Sequence, residues 1–178
     1  MIKYFSFLRA VNVGGNNIIK MEDLKKIFES LGFQNVKTYI QSGNVIFETP
    51  EKSKEKIIKR TEKELHKYLG EDVLVFLRTF PEIEAITKSN PFKKIKTASS
   101  TKLYLSFLST ELKDKPKLPY LSAKKDVELI AIKNCDLFSI TPEINGRFGF
   151  PNNFVEKEFG ISSTTRNWNT ITKIISLT

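Results

Sequence analysis

The feature that most restricts the fold is a pair of helix-ending glycines, Gly32 and Gly70, each placed between a helical run and an extended one. Met21, Leu24, Ile27, Phe28 and Leu31 recur at helical spacing. Gly32 follows where a left-handed C-terminal cap is expected, and Phe33 is placed to pack back on Phe28. Ser53 supplies the N-cap of a second run, with Ile57, Ile58, Thr61, Leu65, Tyr68 and Leu69 on one side, which Gly70 stops. Short runs of β-branched, aliphatic and aromatic residues lie around these helices: Ile2 to Leu8, Val36 to Ile40, Val45 to Glu48 and Val73 to Arg78. Gln41-Ser42-Gly43-Asn44 suits a tight reversal joining the second and third into a hairpin. The predicted order is β-α-β-β-α-β, the ferredoxin-like arrangement.

Thr79 with Glu82 then reads as a capping box for a short helix, which must stop at Asn90 because Pro91 disfavours helical backbone before it. Lys93 to Thr101 reads as a surface connection, and from Lys102 the pattern begins again. Leu103 to Leu108 is a predicted strand, and Leu112 to Leu121 a Pro-interrupted loop or short helix. Val127 to Ile132 and Leu137 to Ile140 form a hairpin turning at Lys133-Asn134. Asn153 to Phe159 is a short helix closed by Gly160, and Thr165 to Leu177 a last helix with Trp168, Ile171, Ile174 and Ile175 on its apolar face. No sequence repeat is visible, but the element order suggests a structural duplication. The expected class is therefore α+β. It comprises two ferredoxin-like-related halves, residues 1–92 and 93–178, with mainly antiparallel sheets and packed helices.

Composition narrows the chemistry. At 178 residues the chain is long enough for one good core or two small ones. Cys135 is the only cysteine, so neither an intramolecular disulfide nor a zinc cluster can form. His66 is the only histidine and sits on a lysine-rich helix, where a solvated role is expected; metal sites and Cys-His nucleophilic pairs are thus poorly supported. Arg9 cuts the apolar run from Met1 too short for a signal peptide or membrane span. The expectation is a cytoplasmic protein with no membrane association, no metal and no cofactor. The net charge of +9 is concentrated between Lys88 and Lys125, where ten lysines face only Glu111 and Asp114. Such a field attracts polyanions, of which nucleic acid is the commonest, although lysine-rich surfaces also serve solubility. Lysine without interleaved arginine argues for a non-specific contact.

Three polar clusters stand out. The first is Arg9, Asn12, Gly14, Gly15, Asn16 and Asn17; the second is Gln41-Ser42-Gly43-Asn44; the third is Thr164-Thr165-Arg166-Asn167-Trp168-Asn169. Adjacent glycines permit positive φ and turn successive N–H groups toward one point, and a following helix N-terminus adds its dipole. The third cluster is read as opening a helix, so its N–H groups, hydroxyls and Arg166 can converge on an anion. Neither the P-loop nor the dinucleotide spacing is present. Each cluster also has a purely structural reading: a turn, a hairpin and a helix cap.

These segments, with Phe7-Leu8-Arg9, Lys20-Met21, Leu31-Gly32-Phe33, Thr38-Tyr39-Ile40, Asn90-Pro91-Phe92 and Gly146-Arg147, closely resemble an uncharacterised, mainly bacterial family known as domain of unknown function 1697. The resemblance runs over essentially the whole chain. It implies an α+β fold of two related halves and no established activity, cofactor or catalytic residue. The chain departs from the family pattern after Arg147, where Phe148-Gly149 stands in place of a small hydroxyl and a basic residue. No anion-binding role is therefore carried over to that loop.

Two functions are open at this point. One is an anion-accepting binding protein for a nucleotide, phosphate or nucleic-acid backbone, using Arg9, Asn12, Gly14, Gly15, Asn16, Ser42, Gly43, Asn44, Thr165, Arg166 and Asn167. The alternative is a metal-independent small-molecule enzyme acting on a phosphorylated or carboxylated substrate by positioning and electrostatics.

Overall fold

A computed structural model describes residues 1–15, 17–93, 95 and 100–177. The chain divides into two compact units, Met1–Ala85 and Ile86–Thr178. The fold is mixed α+β with antiparallel sheets.

Unit 1 contains β1 (Ile2–Leu8), α1 (Met21–Ser30), β2 (Gln34–Tyr39), β3 (Asn44–Thr49), α2 (Lys54–Leu69), β4 (Val75–Thr79) and the start of α3 (Phe80–Ser89). Its sheet has the order β2-β3-β1-β4, every neighbour antiparallel. One core cluster gathers Tyr4 and Leu8 of β1, Val45 and Phe47 of β3, and Val75 and Leu77 of β4 with Leu24 and Phe28 of α1 and Ile57 and Leu65 of α2. Alternate strand residues thus meet the apolar stripes of both helices. Gly32 takes φ +81, and the chain folds back so that Phe33 lies 6.0 Å from Phe28 and 4.4 Å from Phe47, ring centre to ring centre. α2 begins at Ser53, whose Oγ accepts the Lys56 N–H, and ends at Gly70, whose N–H donates to His66 O. The capping box at α3 is reciprocal: Thr79 N–H donates to Glu82 Oε2 at 2.7 Å and Glu82 N–H to Thr79 Oγ1.

Unit 2 contains the rest of α3, then β5 (Lys102–Leu108), β6 (Tyr120–Leu121), β7 (Glu128–Lys133), β8 (Asp136–Thr141), β9 (Glu143–Ile144), β10 (Arg147–Phe148), α4 (Pro151–Phe159), β11 (Ser163–Asn167) and α5 (Trp168–Ile175). Its main sheet runs β11-β5-β8-β7-β6, again antiparallel. The first four strands repeat the order β4-β1-β3-β2 of unit 1. Where unit 1 has α1, unit 2 has an irregular loop and the short edge strand β6.

This shared topology exposes a repeat that is not evident in the sequence alone. Tyr4-Phe5-Ser6-Phe7-Leu8 recurs as Tyr104-Leu105-Ser106-Phe107-Leu108 on the equivalent strands. The backbone bonds at their ends recur as well: Leu8 N to Gly43 O (2.9 Å) and Arg9 N to Leu74 O (3.0 Å) match Leu108 N to Cys135 O (2.8 Å) and Ser109 N to Ser162 O (2.9 Å). Phe5 lies opposite Arg78, and Leu105 opposite Arg166. The repeat is hard to see because the neighbouring strands keep burial but not residue type, Val45-Ile46-Phe47 standing where Leu137-Phe138-Ser139 stands.

One difference between the units has an energetic consequence. Ser106 Oγ lies 2.7 Å from Thr165 Oγ1, whereas the residue opposite Ser6 is Leu77, and Ser6 Oγ is buried without a hydrogen-bond partner among the described residues. A buried hydroxyl left unpaired costs about 1–3 kcal/mol. Ser6→Ala is therefore expected to stabilise the protein by roughly 1 kcal/mol, and Ser106→Ala to destabilise it, in urea unfolding. A loss of stability in Ser6→Ala would contradict the assignment.

The structure corrects the C-terminal prediction. Ser163–Asn167 is the strand β11, and the helix starts only at Trp168. Thr164 and Thr165 are β-branched and pair with Phe107 and Ser106 on β5, and the N-cap falls to Asn167, whose side chain accepts Asn169 N–H. α4 likewise begins at Pro151, which suits a first helical turn, rather than at Asn153. The β7–β8 hairpin turns at Asn134-Cys135, one residue later than predicted. The β9–β10 hairpin was unforeseen, although its turn residues Asn145 (φ +51) and Gly146 (φ +74) are the usual signal for one.

Candidate functional site

In unit 1 the first two clusters meet, and Asn12 is the reason. After β1 the backbone enters the left-handed region at Ala10, Asn12, Gly14, Gly15 and Asn17. Space for a Cβ is open at Gly14 and Gly15, so what favours glycine there is backbone angle and not crowding. The Asn12 amide donates to Ile19 O (3.0 Å) and to Gln41 O (2.9 Å), while its Oδ1 accepts the Ile19 N–H (2.8 Å). One side chain thus closes the loop on itself and clasps it to the β2–β3 hairpin. Asn17 reinforces the closure through its amide to Ala10 O and its carbonyl, which accepts Asn12 N–H. In the hairpin, Asn44 is fully buried and donates to Tyr39 O (3.0 Å) and Ser42 Oγ (2.9 Å).

Beside this clasp lies a hollow of about 610 Å³, its wall including Asn12, Gly15, Lys20, Met21, Glu22 and Gln41. Lys20 occupies the N-cap position of α1 with extended backbone and makes no side-chain cap. The first-turn N–H groups of α1 are therefore left without a capping side chain beside the hollow, at the positive end of the helix dipole. Glu22 adds a carboxylate to the same wall. Of the sequence-predicted residues, Asn12 and Gly15 line the hollow. Gly14 is exposed in the same loop, Arg9 and Ser42 are half-buried, and Gly43 and Asn44 are buried in the hairpin. Asn16 lies outside the described residues. Lys20 and Glu22 were missed as candidates, although a lysine where Ser, Thr, Asp or Asn is preferred was a readable sign of an open helix end.

The third cluster belongs to unit 2 and is turned into its interior. Thr165 Oγ1 meets Ser106 Oγ and donates to Asn152 Oδ1 (3.2 Å), which also accepts from Ser163 Oγ (3.1 Å). Glu156 Oε1 accepts the Ser163 N–H at 2.8 Å. Arg166 is 7% exposed, and its Nη1 donates to Thr164 Oγ1 (2.8 Å) and Thr165 O (3.0 Å). Burial pushes its guanidinium down to about 9, still charged at neutral pH. Arg78, its topological counterpart, makes the same bond to the preceding carbonyl, Leu77 O, at 2.9 Å. Asn167 is engaged as the α5 cap. Cys135 is half-buried at the β7–β8 turn, and His66 pairs with Asp72 at the end of α2. Among the described residues no group of three or more His, Cys, Asp or Glu side chains is placed to hold a metal ion, and no helix is long and apolar enough to cross a membrane.

The profile of a family described as "Protein of unknown function (DUF1697)" matches residues 1–138. A solved structure of a conserved bacterial protein from Streptococcus pneumoniae superposes with a TM-score of 0.71 at 21% identity, over 98% of this chain and 97% of that one. At that identity the likeness concerns the fold. No curated protein matches the sequence.

Proposed function

The chain belongs to the DUF1697 family, whose description assigns no activity, and from that premise we propose that unit 1 binds a small phosphate-bearing ligand of the nucleotide class in the hollow beside the Asn12 clasp. The observation that carries this reading is the clasp itself, which brings a glycine loop, an uncapped helix start and the hairpin amide Gln41 onto one depression. The α1 N–H groups and Lys20 suit a phosphate. Glu22 disfavours a bare anion but accepts hydrogen bonds from sugar hydroxyls or base amino groups. That combination favours a nucleotide over inorganic phosphate. In this reading Arg9, the half-buried residue that follows β1 at the foot of the loop, contributes positive charge. The buried cluster of Thr165 and Arg166 has a structural part in this reading and no ligand contact.

A thermal-shift panel of nucleotides, sugar phosphates and inorganic phosphate tests the proposal. A ligand at a hundred times its dissociation constant stabilises by about 2.7 kcal/mol. Nucleotides are expected to raise the melting temperature more than inorganic phosphate. Arg9→Ala and Lys20→Ala should shrink that rise, the exposed Lys20 doing so with little change in the unliganded protein. A shift that survives Lys20→Ala and Glu22→Ala places the ligand elsewhere.

A further inference from the structure

A second surface, in unit 2 and independent of the hollow, combines exposed aromatic rings with basic side chains. Its base is the turn from Ser122 to Val127. Ser122 Oγ accepts the N–H groups of Asp126 and Val127 and donates to Asp126 Oδ1 at 2.8 Å, and Lys125 N–H returns to Ser122 O at 2.8 Å. Lys124 and Lys125 project from this braced turn, exposed and without an ion pair among the described residues. The chain leaving the β9–β10 hairpin passes directly over the turn. A Cβ on Gly149 would sit 2.5 Å from Asp126 O, so the two backbones touch where only glycine fits.

That close approach fixes the residues on either side of Gly149. Phe148 is half-buried, with Lys102 Nζ 3.8 Å from its ring centre. Phe150 is 53% exposed, yet it is held edge-to-face on Tyr104 with ring centres 6.0 Å apart and planes at 88°. Arg147 is exposed at the start of β10. The acidic groups nearby are Glu143, opposite Phe148 in the hairpin, together with Asp126, which is bonded to Ser122, and Glu128. The segments that meet at Gly149 thus carry Arg147, Lys124 and Lys125, all exposed, with Lys102 over the neighbouring Phe148 ring, and they carry in Phe150 an aromatic ring that is exposed but braced. The edge-to-face contact with Tyr104 and its place just before α4 hold Phe150 in position, and about half of its surface is left open for a stacking partner.

We propose that the β9–β10 hairpin, Phe150 and the Ser122–Val127 turn form a platform for single-stranded nucleic acid. Phe150 stacks on an unpaired base, while Arg147, Lys102, Lys124 and Lys125 meet the phosphates on either side. The ring selects single strands, because bases in a duplex present no free face.

Fluorescence anisotropy with the full chain tests this, using an oligothymidylate of about 12 nucleotides, a duplex of the same length and inorganic polyphosphate. The single strand is expected to bind most tightly, with affinity falling as salt rises. Phe150→Ala should weaken it about tenfold at an unchanged salt slope, since stacking is uncharged. Phe150→Leu keeps the apolar bulk over Tyr104, guards against misfolding and should show the same loss. Lys124→Ala with Lys125→Ala should flatten the slope of log K on log salt by about 1.4, or about 0.7 for each phosphate that is no longer neutralised. Phe150→Ala, outside the unit 1 hollow, should leave the nucleotide-induced thermal shift as it is, so failure of either reading is seen separately. The proposal is overturned if the single strand does not bind at about 50 mM salt, if duplex or polyphosphate binds as tightly, or if both Phe150 variants bind like the parent.

Discussion

Replacing Arg166 with alanine is expected to lower the unfolding free energy by about 4 kcal/mol, the sum of a buried side chain deleted and two hydrogen-bond acceptors left behind. The side chain lies inside unit 2, where its Nη1 serves Thr164 Oγ1 and Thr165 O. Truncation removes most of that packing and leaves both oxygens without their donor. Arg166→Lys keeps the charge but not the planar fork, and should recover only part of the loss. Arg166→Met fills the space without the cost of burying a charge, which burial already resists by pushing the guanidinium down, and should fall between the two. Urea unfolding of the three variants checks the order. A loss below about 0.5 kcal/mol for Arg166→Ala would mean that the guanidinium is not structural and would reopen a ligand-binding role. Arg78→Ala, at the more exposed counterpart, should cost less.

Gly43→Ala is the second large effect, expected at about 3 kcal/mol from two costs that add. Gly43 has φ +72, a conformation that charges an L-residue about 1–2 kcal/mol, and its added methyl would lie 2.9 Å from Leu8 Cβ, which cannot move without moving β1. Gly43 O also accepts the Leu8 N–H, so the hairpin and the first strand cannot part without breaking that bond. The Gly149 contact is closer, 2.5 Å to Asp126 O, but its backbone is not left-handed, so only the steric cost applies there. Thermal denaturation of Gly43→Ala against Gly32→Ala separates the two costs, because Gly32 has the same left-handed backbone with open space around it. If the two variants lose the same stability, the approach to Leu8 contributes nothing.

The first half of the chain was legible because its signals are local. Gly32, Ser53, Gly70 and the Thr79–Glu82 pair each act within a few residues, and all four behave in the structure as their chemistry requires. The second half was harder to read because one segment met competing local preferences. Thr164 to Asn167 carries good cap residues just before a strongly amphipathic run, so a helix starting there satisfied every local rule. Pairing with β5 decided otherwise, and that strand lies far away in sequence.

The candidate sites divide in the same way. Left-handed backbone at Gly14 and Gly15, the reversal at Gln41 to Asn44, the basic stretch and the family resemblance were all legible in the sequence alone, because each depends on residue type and short spacing. That Asn12 would clasp Gln41, that Lys20 would leave a helix start open, that Arg166 would turn inward, and that Gly149 would meet Asp126 in the Ser122–Val127 turn were decided only by the tertiary structure. These are meetings between segments that register and burial bring together, and no local preference encodes them.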